Sequence, residues 1–112
     1  MEFYHNPRCR KSREALSLLE EKGITPEIIL YLKDVPTESD LEDIVSKLGI
    51  KPLDLVRKGE TIYKETLKGM ELSDIQWIKS MIENPKLIER PILVNGDKAV
   101  IGRPPEDVLT IL

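Results

Sequence analysis

Two short apolar runs late in the chain, I-L-V at 92–94 and A-V-I at 99–101, are separated by the sequence N-G-D-K. Asn-Gly between two apolar runs is the strongest short-range signal for a β-hairpin. Pro104 and Pro105 follow, and both can occupy the first turn of a closing helix, where the missing N–H is not needed. The end of the chain therefore predicts strand, strand, helix.

The start of the chain predicts strand, helix, strand. E-F-Y at 2–4 forms a short strand, and a helix with apolar residues at roughly helical spacing runs from about Ser12 to Gly23, a glycine C-cap. After Pro26, the run E-I-I-L-Y-L is almost continuously apolar, which is typical of a strand covered on both faces.

The middle of the chain is mainly helical. Thr37 with Asp40 and Ser73 with Gln76 are helix-start patterns, and each is followed by a stripe of apolar residues. The order of these predicted strands and helices indicates one domain over residues 1–112. It is of α/β class, with a mixed sheet and a helical insertion at about 37–86. This is the layout of a thioredoxin-like three-layer fold.

Charge and cysteine content restrict the function. The formal net charge is -3 over 112 residues, so a nucleic-acid partner is not expected. One cysteine and one histidine are too few for a transition-metal site. The amino terminus lacks a secretory signal and no stretch reaches membrane-spanning length, so we expect a cytoplasmic protein with no membrane partner.

The single thiol, Cys9, lies between the first strand and the first helix, within R-C-R-K-S-R at 8–13. A helix N-terminus and nearby cations both lower the pKa of a cysteine, and the thiolate is the reactive form. We therefore predict that Cys9 is a nucleophile. The residues predicted to stabilise its thiolate are Arg8, Arg10, Lys11 and Arg13.

Two polar neighbours complete the catalytic candidates. Ser12 stands where a C-x-x-C motif would carry its second thiol, and it either hydrogen-bonds the thiolate or caps the helix. His5 either acts as a general base or fixed cation, or holds the loop together by hydrogen bonds. Because the chain has no second thiol, an outside thiol must resolve any adduct of Cys9.

Arginine use indicates an anion site. Three of the six arginines flank Cys9, and the others are Arg57, Arg90 and Arg103, the last two directly before proline. The planar guanidinium suits bidentate binding of oxyanions, whereas ordinary ion pairing is the alternative explanation.

Together these motifs resemble the glutaredoxin-coupled arsenate reductases. The similar segments are H-N-P-R-C-R-K-S-R at 5–13, I-I-L-Y-L at 28–32, L-V-R-K at 55–58, L-I-E-R-P-I at 87–92 and I-G-R-P-P-E at 101–106. They run essentially from end to end of the chain. The family is related to the Spx-type regulators.

The resemblance implies that Cys9 attacks arsenate or a similar oxyanion, which Arg57, Arg90 and Arg103 bind. It also implies that His5 and Ser12 help to keep the cysteine as thiolate, that Pro91 is a cis proline beside it, and that no cofactor is bound. Glutathione is the implied co-substrate, and glutaredoxin the implied partner. The alternatives are another glutathione-dependent thiol reductase, or a non-enzymatic Spx-like regulator that binds RNA polymerase.

Overall fold

The computed structural model describes residues 1–112, which divide into two compact units, residues 1–34 with 90–112 and residues 35–89. The first unit holds the sheet, and the second is helical, where the sequence predicted an insertion at about 37–86. That all residues form one domain stays a prediction. No helix is long and apolar enough to cross a membrane.

The first unit is built on a four-stranded mixed sheet with the order β2-β1-β3-β4. The strands are β1 (Glu2–Tyr4), β2 (Glu27–Ile29), β3 (Ile92–Asn95) and β4 (Lys98–Ile101). β1 pairs parallel with β2 and antiparallel with β3, while β3 and β4 form the predicted hairpin. The predicted α/β class and the β-α-β and β-β-α ends are confirmed.

One face of this sheet is covered by helix α1 (Arg10–Glu21) and by the closing helix Pro105–Ile111, which is a 3₁₀ helix. Fully buried apolar side chains fill the space between them, and these are Phe3, Ala15, Leu19, Leu93 and Val108. This packing fixes the start of α1 against the carboxyl end of β1, which is where Cys9 lies.

The prediction that β2 is covered on both faces was wrong. β2 is the edge strand of the sheet and is only three residues long, and the side chain of Ile28 is 42% exposed. An apolar run indicates a strand but not which elements pack on its faces, and at this edge of the sheet no residue of β2 is buried.

The second unit contains helices α2 (Glu38–Leu48), α3 (Pro52–Leu55) and α4 (Asp74–Glu83), with a π-helical turn at Tyr63–Leu67 and a 3₁₀ turn at Pro85–Leu87. The predicted helix starts are confirmed, since both Thr37 and Ser73 form capping boxes. Each side chain accepts from a backbone N–H that the helix itself leaves without a partner.

The hairpin turn depends on one glycine. Asn95 pairs with Lys98, so Gly96 and Asp97 form the two-residue loop, and only Gly96 has a positive φ, 63°. This is the type II′ pattern, which places glycine first in the loop.

We predict that Gly96→Ala lowers the free energy of unfolding by about 1 kcal/mol, because a β-carbon is disfavoured in left-handed backbone. Gly59→Ala is the matched control, since neither glycine has an atom within 4 Å of its would-be β-carbon and Gly59 lacks the positive φ. Urea denaturation of both variants measures the difference. Equal stability of the two variants would contradict this account of the turn.

Candidate active site

Cys9 is the N-cap residue of α1 and is partly buried. Its own N–H donates to the carbonyl oxygen of Asn6 at 2.9 Å, and its carbonyl accepts from the N–H of Arg13 at 3.1 Å. The sulfur forms no capping hydrogen bond by geometry, but the backbone N–H of Ser12, in the first turn of α1, is close enough to lower the pKa of Cys9. The thiol is therefore held at the point where the helix presents free N–H groups.

Two arginines from the far end of the chain reach the same sulfur. Nη2 of Arg103 lies 3.6 Å from Sγ of Cys9, and Nε of Arg103 donates to the carbonyl oxygen of Arg90 at 2.7 Å. The side chain of Arg90 also hydrogen-bonds Cys9, although Arg90 is buried. The structure thus brings together Cys9, Arg90 and Arg103, three of the residues singled out by the sequence.

The balance of these interactions lowers the pKa of Cys9. Burial raises it, but the Ser12 N–H, the charge of Arg103, and the hydrogen bond and charge of Arg90 together have the larger effect. All of these groups favour the charged sulfur, because a donor or a cation interacts more strongly with thiolate than with thiol. The arrangement can present a nucleophilic sulfur beside two guanidinium cations.

The four basic residues next to Cys9 in sequence are not the groups that lower its pKa. Nε of Arg10 pairs with Oε1 of Glu14 at 3.0 Å on the surface, and Nη1 of Arg13 donates to the carbonyl of Pro7 at 2.9 Å. Arg8 and Lys11 are exposed. The lowering of the pKa of Cys9 that these neighbours predicted comes instead from the Ser12 N–H, Arg103 and Arg90. All four neighbouring basic side chains are exposed to solvent.

His5 and Ser12 form a buried pair. Nδ1 of His5 lies 2.6 Å from Oγ of Ser12, and Oγ also accepts from the N–H of Asn6 at 3.1 Å. The predicted capping role of Ser12 is wrong, since Cys9 occupies the cap. The hydroxyl instead joins the loop to α1, while the Ser12 backbone serves the thiol.

Burial and the charge of Arg13 lower the pKa of His5. The imidazole is therefore neutral at neutral pH, which disfavours the fixed-cation interpretation of this residue. Its hydrogen bond to Ser12 agrees with the alternative in which it holds the loop.

Pro91 has the cis peptide bond that the resemblance implied, and a second one precedes Pro104. The sequence analysis missed Gly102, whose N–H donates to the carbonyl of Pro91 at 2.8 Å. A β-carbon at Gly102 would lie 2.8 Å from Cγ of Pro91 and 3.0 Å from Cγ1 of Val108. Glycine at a strand end is a signal for such a close approach, and here it sets the position from which Arg103 extends.

Arg57 lies in the second unit. Its N–H donates to the carbonyl of Leu87, and its Nε is 3.9 Å from Oε1 of Glu60. Its predicted role in binding an oxyanion stays a prediction.

The second unit also has a cleft of about 560 Å³ that contains none of the predicted site residues. Its wall includes the carboxylates Glu60, Glu65 and Glu83 against one lysine, Lys86. That excess of negative charge disfavours an anionic substrate. Cleft size is therefore a poor guide to the active site in this chain.

Residues 4–111 match the model of the ArsC family. The arsenate reductase of Haemophilus influenzae is 50% identical over 112 residues, covering 98% of this chain and 97% of that protein. An arsenate reductase of Neisseria meningitidis is 41% identical over 114 residues, covering 100% and 97%. The solved structure of the arsenate reductase from Vibrio cholerae matches with a TM-score of 0.95 and 46% identity, covering 100% of this chain and 98% of that one.

We predict that Arg103→Gln raises the pKa of Cys9, because it removes a cation 3.6 Å from the sulfur. The rate of alkylation by iodoacetamide, measured against pH, gives the midpoint. In the wild-type protein the rate rises through a midpoint below that of an ordinary thiol, since only the thiolate reacts.

Arg10→Gln is the control, because it removes the same charge next to Cys9 in sequence but from a side chain that is 85% exposed and paired with Glu14. Its midpoint should stay close to that of the wild type. Equal shifts in the two variants would mean that the net charge of the chain, and not the contact with Arg103, controls the thiol.

Proposed function

Because the chain belongs to the ArsC family, we propose that it is an arsenate reductase in which Cys9 is the nucleophile. The observation that carries the proposal is the contact of one sulfur of lowered pKa with two arginine side chains, Arg103 and Arg90. A thiolate and an oxyanion repel each other, so their reaction needs fixed cations between them. Two relatives, at 50% and 41% identity, are named arsenate reductases.

The oxyanion is bound in this proposal by Arg90, Arg103 and Arg57. Nε of Arg103 donates to the Arg90 carbonyl and Nη2 lies 3.6 Å from Sγ of Cys9, so the guanidinium is held beside the sulfur. Preorganised cations of this kind stabilise charge in the transition state without having to reorient. Arg57 is included on the resemblance alone.

His5 and Ser12 act as positioning residues. Their buried hydrogen bond fixes the loop before α1. It thereby keeps the Ser12 N–H close to the Cys9 sulfur. Loss of the hydrogen bond between His5 and Ser12 should therefore raise the pKa of Cys9.

The single cysteine determines the reaction sequence. The Cys9 thiolate attacks arsenic(V), an oxygen leaves as water, and a Cys9–S–As bond forms. A glutathione thiolate then attacks the Cys9 sulfur, and the electron pair of the S–As bond passes to arsenic, which leaves as arsenite. A thiol of glutaredoxin finally takes the glutathione from Cys9 by disulfide exchange, so two thiols are oxidised for each arsenate reduced.

No bound cofactor takes part in this sequence, in which glutathione is a co-substrate. The proposal also includes a cytoplasmic location, because a free nucleophilic thiol and the glutathione pool both need a reducing compartment.

We predict that Cys9→Ser abolishes arsenate reduction, since a hydroxyl is a much weaker nucleophile than a thiolate. Arg90→Lys and Arg103→Lys should each lower kcat/KM about 30- to 1000-fold, because a point charge does not replace a bidentate guanidinium. The assay follows arsenate-dependent oxidation of glutathione with glutaredoxin present. Arg10→Lys is the control and should retain wild-type activity.

A wild-type protein that does not reduce arsenate but reduces other glutathione-linked substrates through Cys9 would identify a different thiol reductase. Full activity in both Arg90→Lys and Arg103→Lys would place oxyanion binding elsewhere.

A further inference from the structure

The carboxyl ends of β1 and β2 open onto a cleft of about 290 Å³. Its walls are the residues that directly follow the two strands, His5, Asn6, Pro7 and Arg8 after β1, and Leu30, Leu32 and Lys33 after β2. Because the two strands are parallel, these segments meet at one edge of the sheet, which is where open α/β sheets bind ligands. Its volume lies near the lower end for small-molecule sites, about 300 Å³.

The cleft is apolar with two cations. Pro7, Leu30 and Leu32 contribute hydrocarbon surface, and Arg8 and Lys33 contribute charge from two different loops. Neither cation makes an ion pair, and no carboxylate lines the cleft.

The other titratable groups nearby do not cancel this charge. The pKa of His5 is lowered, so the imidazole is neutral at neutral pH, and Asp34, next to Lys33 in sequence, is not part of the wall. A small ligand that carries carboxylates and some apolar surface is complementary to such a cleft.

The sheet order places this cleft on one side of the thiol and the arginines on the other. Cys9 follows β1, the strand between β2 and β3. The cleft lies on the β2 side, whereas Arg90 precedes β3 and Arg103 follows β4. The turn that joins β1 to Cys9 forms one wall of the cleft and is fixed by the hydrogen bond from the Cys9 N–H to Asn6.

Displacement at sulfur requires that the attacking and leaving groups lie on opposite sides of the attacked atom. In the proposed function the leaving arsenic is held by the arginines on the β3–β4 side, so the attacking thiol must approach from the β2 side. That approach passes the cleft.

We propose that this cleft binds glutathione, with Arg8 and Lys33 pairing with its carboxylates, and so directs the glutathione sulfur at the Cys9 sulfur. The inference rests on the proposed function and names its co-substrate site. The step forms the Cys9–glutathione disulfide and breaks the S–As bond, whose electron pair reduces arsenic(V) to arsenic(III).

The first test is kinetic. Lys33→Ala should raise the KM for glutathione about fivefold, with the KM for arsenate unchanged, because one carboxylate contact is lost. Lys22→Ala is the control and should have the wild-type KM, because Lys22 is also exposed but is the C-cap residue of α1 and does not line the cleft. With 2-mercaptoethanol as a neutral reductant, Lys33→Ala and the wild type should behave alike.

The second test does not depend on arsenate. S-methylglutathione, which cannot react, is titrated into the protein while backbone amide NMR shifts are recorded. We expect shifts centred on residues 5–8 and 30–33, and about fivefold weaker binding to Lys33→Ala than to Lys22→Ala.

The two proposals fail differently. If arsenate is reduced but Lys33→Ala and Lys22→Ala have the same KM for glutathione, or the NMR shifts centre on Arg90 and Ile92, the cleft is not the co-substrate site. If S-methylglutathione binds the cleft but arsenate is not reduced, the cleft assignment stands and the proposed function falls.

Discussion

The contact between the Arg103 guanidinium and the Cys9 sulfur is the interaction on which the chemistry of this protein depends. It joins residues 94 positions apart, at 3.6 Å. Burial alone would raise the pKa of Cys9, but the Ser12 N–H, the Arg103 cation and Arg90 together have the larger effect, so the pKa is lowered. Without these groups a smaller fraction of the thiol would be ionised.

The fold of the first unit can be understood as a means of making that contact. The hairpin returns β4 beside β3, and the short link after β4 carries Arg103 back towards the carboxyl end of β1, where α1 begins. Gly102 lets this link press against Pro91 with no side chain between them. The bond from Arg103 Nε to the Arg90 carbonyl then fixes the guanidinium, so the cation is in place before any substrate arrives.

Much of this could be predicted from local sequence, because hairpins, helix caps and strand–helix junctions are short-range features. The capping boxes at Thr37 and Ser73 and the placement of Cys9 before a helix are examples. The groups around the sulfur could not be predicted in this way. Arg10 and Lys11 adjoin Cys9 in sequence, yet helical geometry directs them to solvent, while the effective cations come from the other end of the chain.

The buried pair of His5 and Ser12 shows the same limit. Each residue suggested several roles, and the choice depends on how the loop between them folds. The position of β2 at the edge of the sheet likewise could not be predicted from the sequence, because strand order is set by long-range pairing and not by the composition of one strand. Arg90 and Arg103 were singled out by the use of arginine in loops, and the structure places both beside the Cys9 sulfur; their binding of an oxyanion stays a prediction.

The central claim is that one thiolate both takes up the oxyanion and receives the glutathione sulfur. The most direct measurement is intact-mass spectrometry of the protein mixed with arsenate and glutathione in the absence of glutaredoxin, with arsenite quantified in the same sample. The account predicts one arsenite per chain, a glutathione disulfide on Cys9 and then arrest. Continued release of arsenite with Cys9 unmodified, or the same yield from Cys9→Ser, would contradict it.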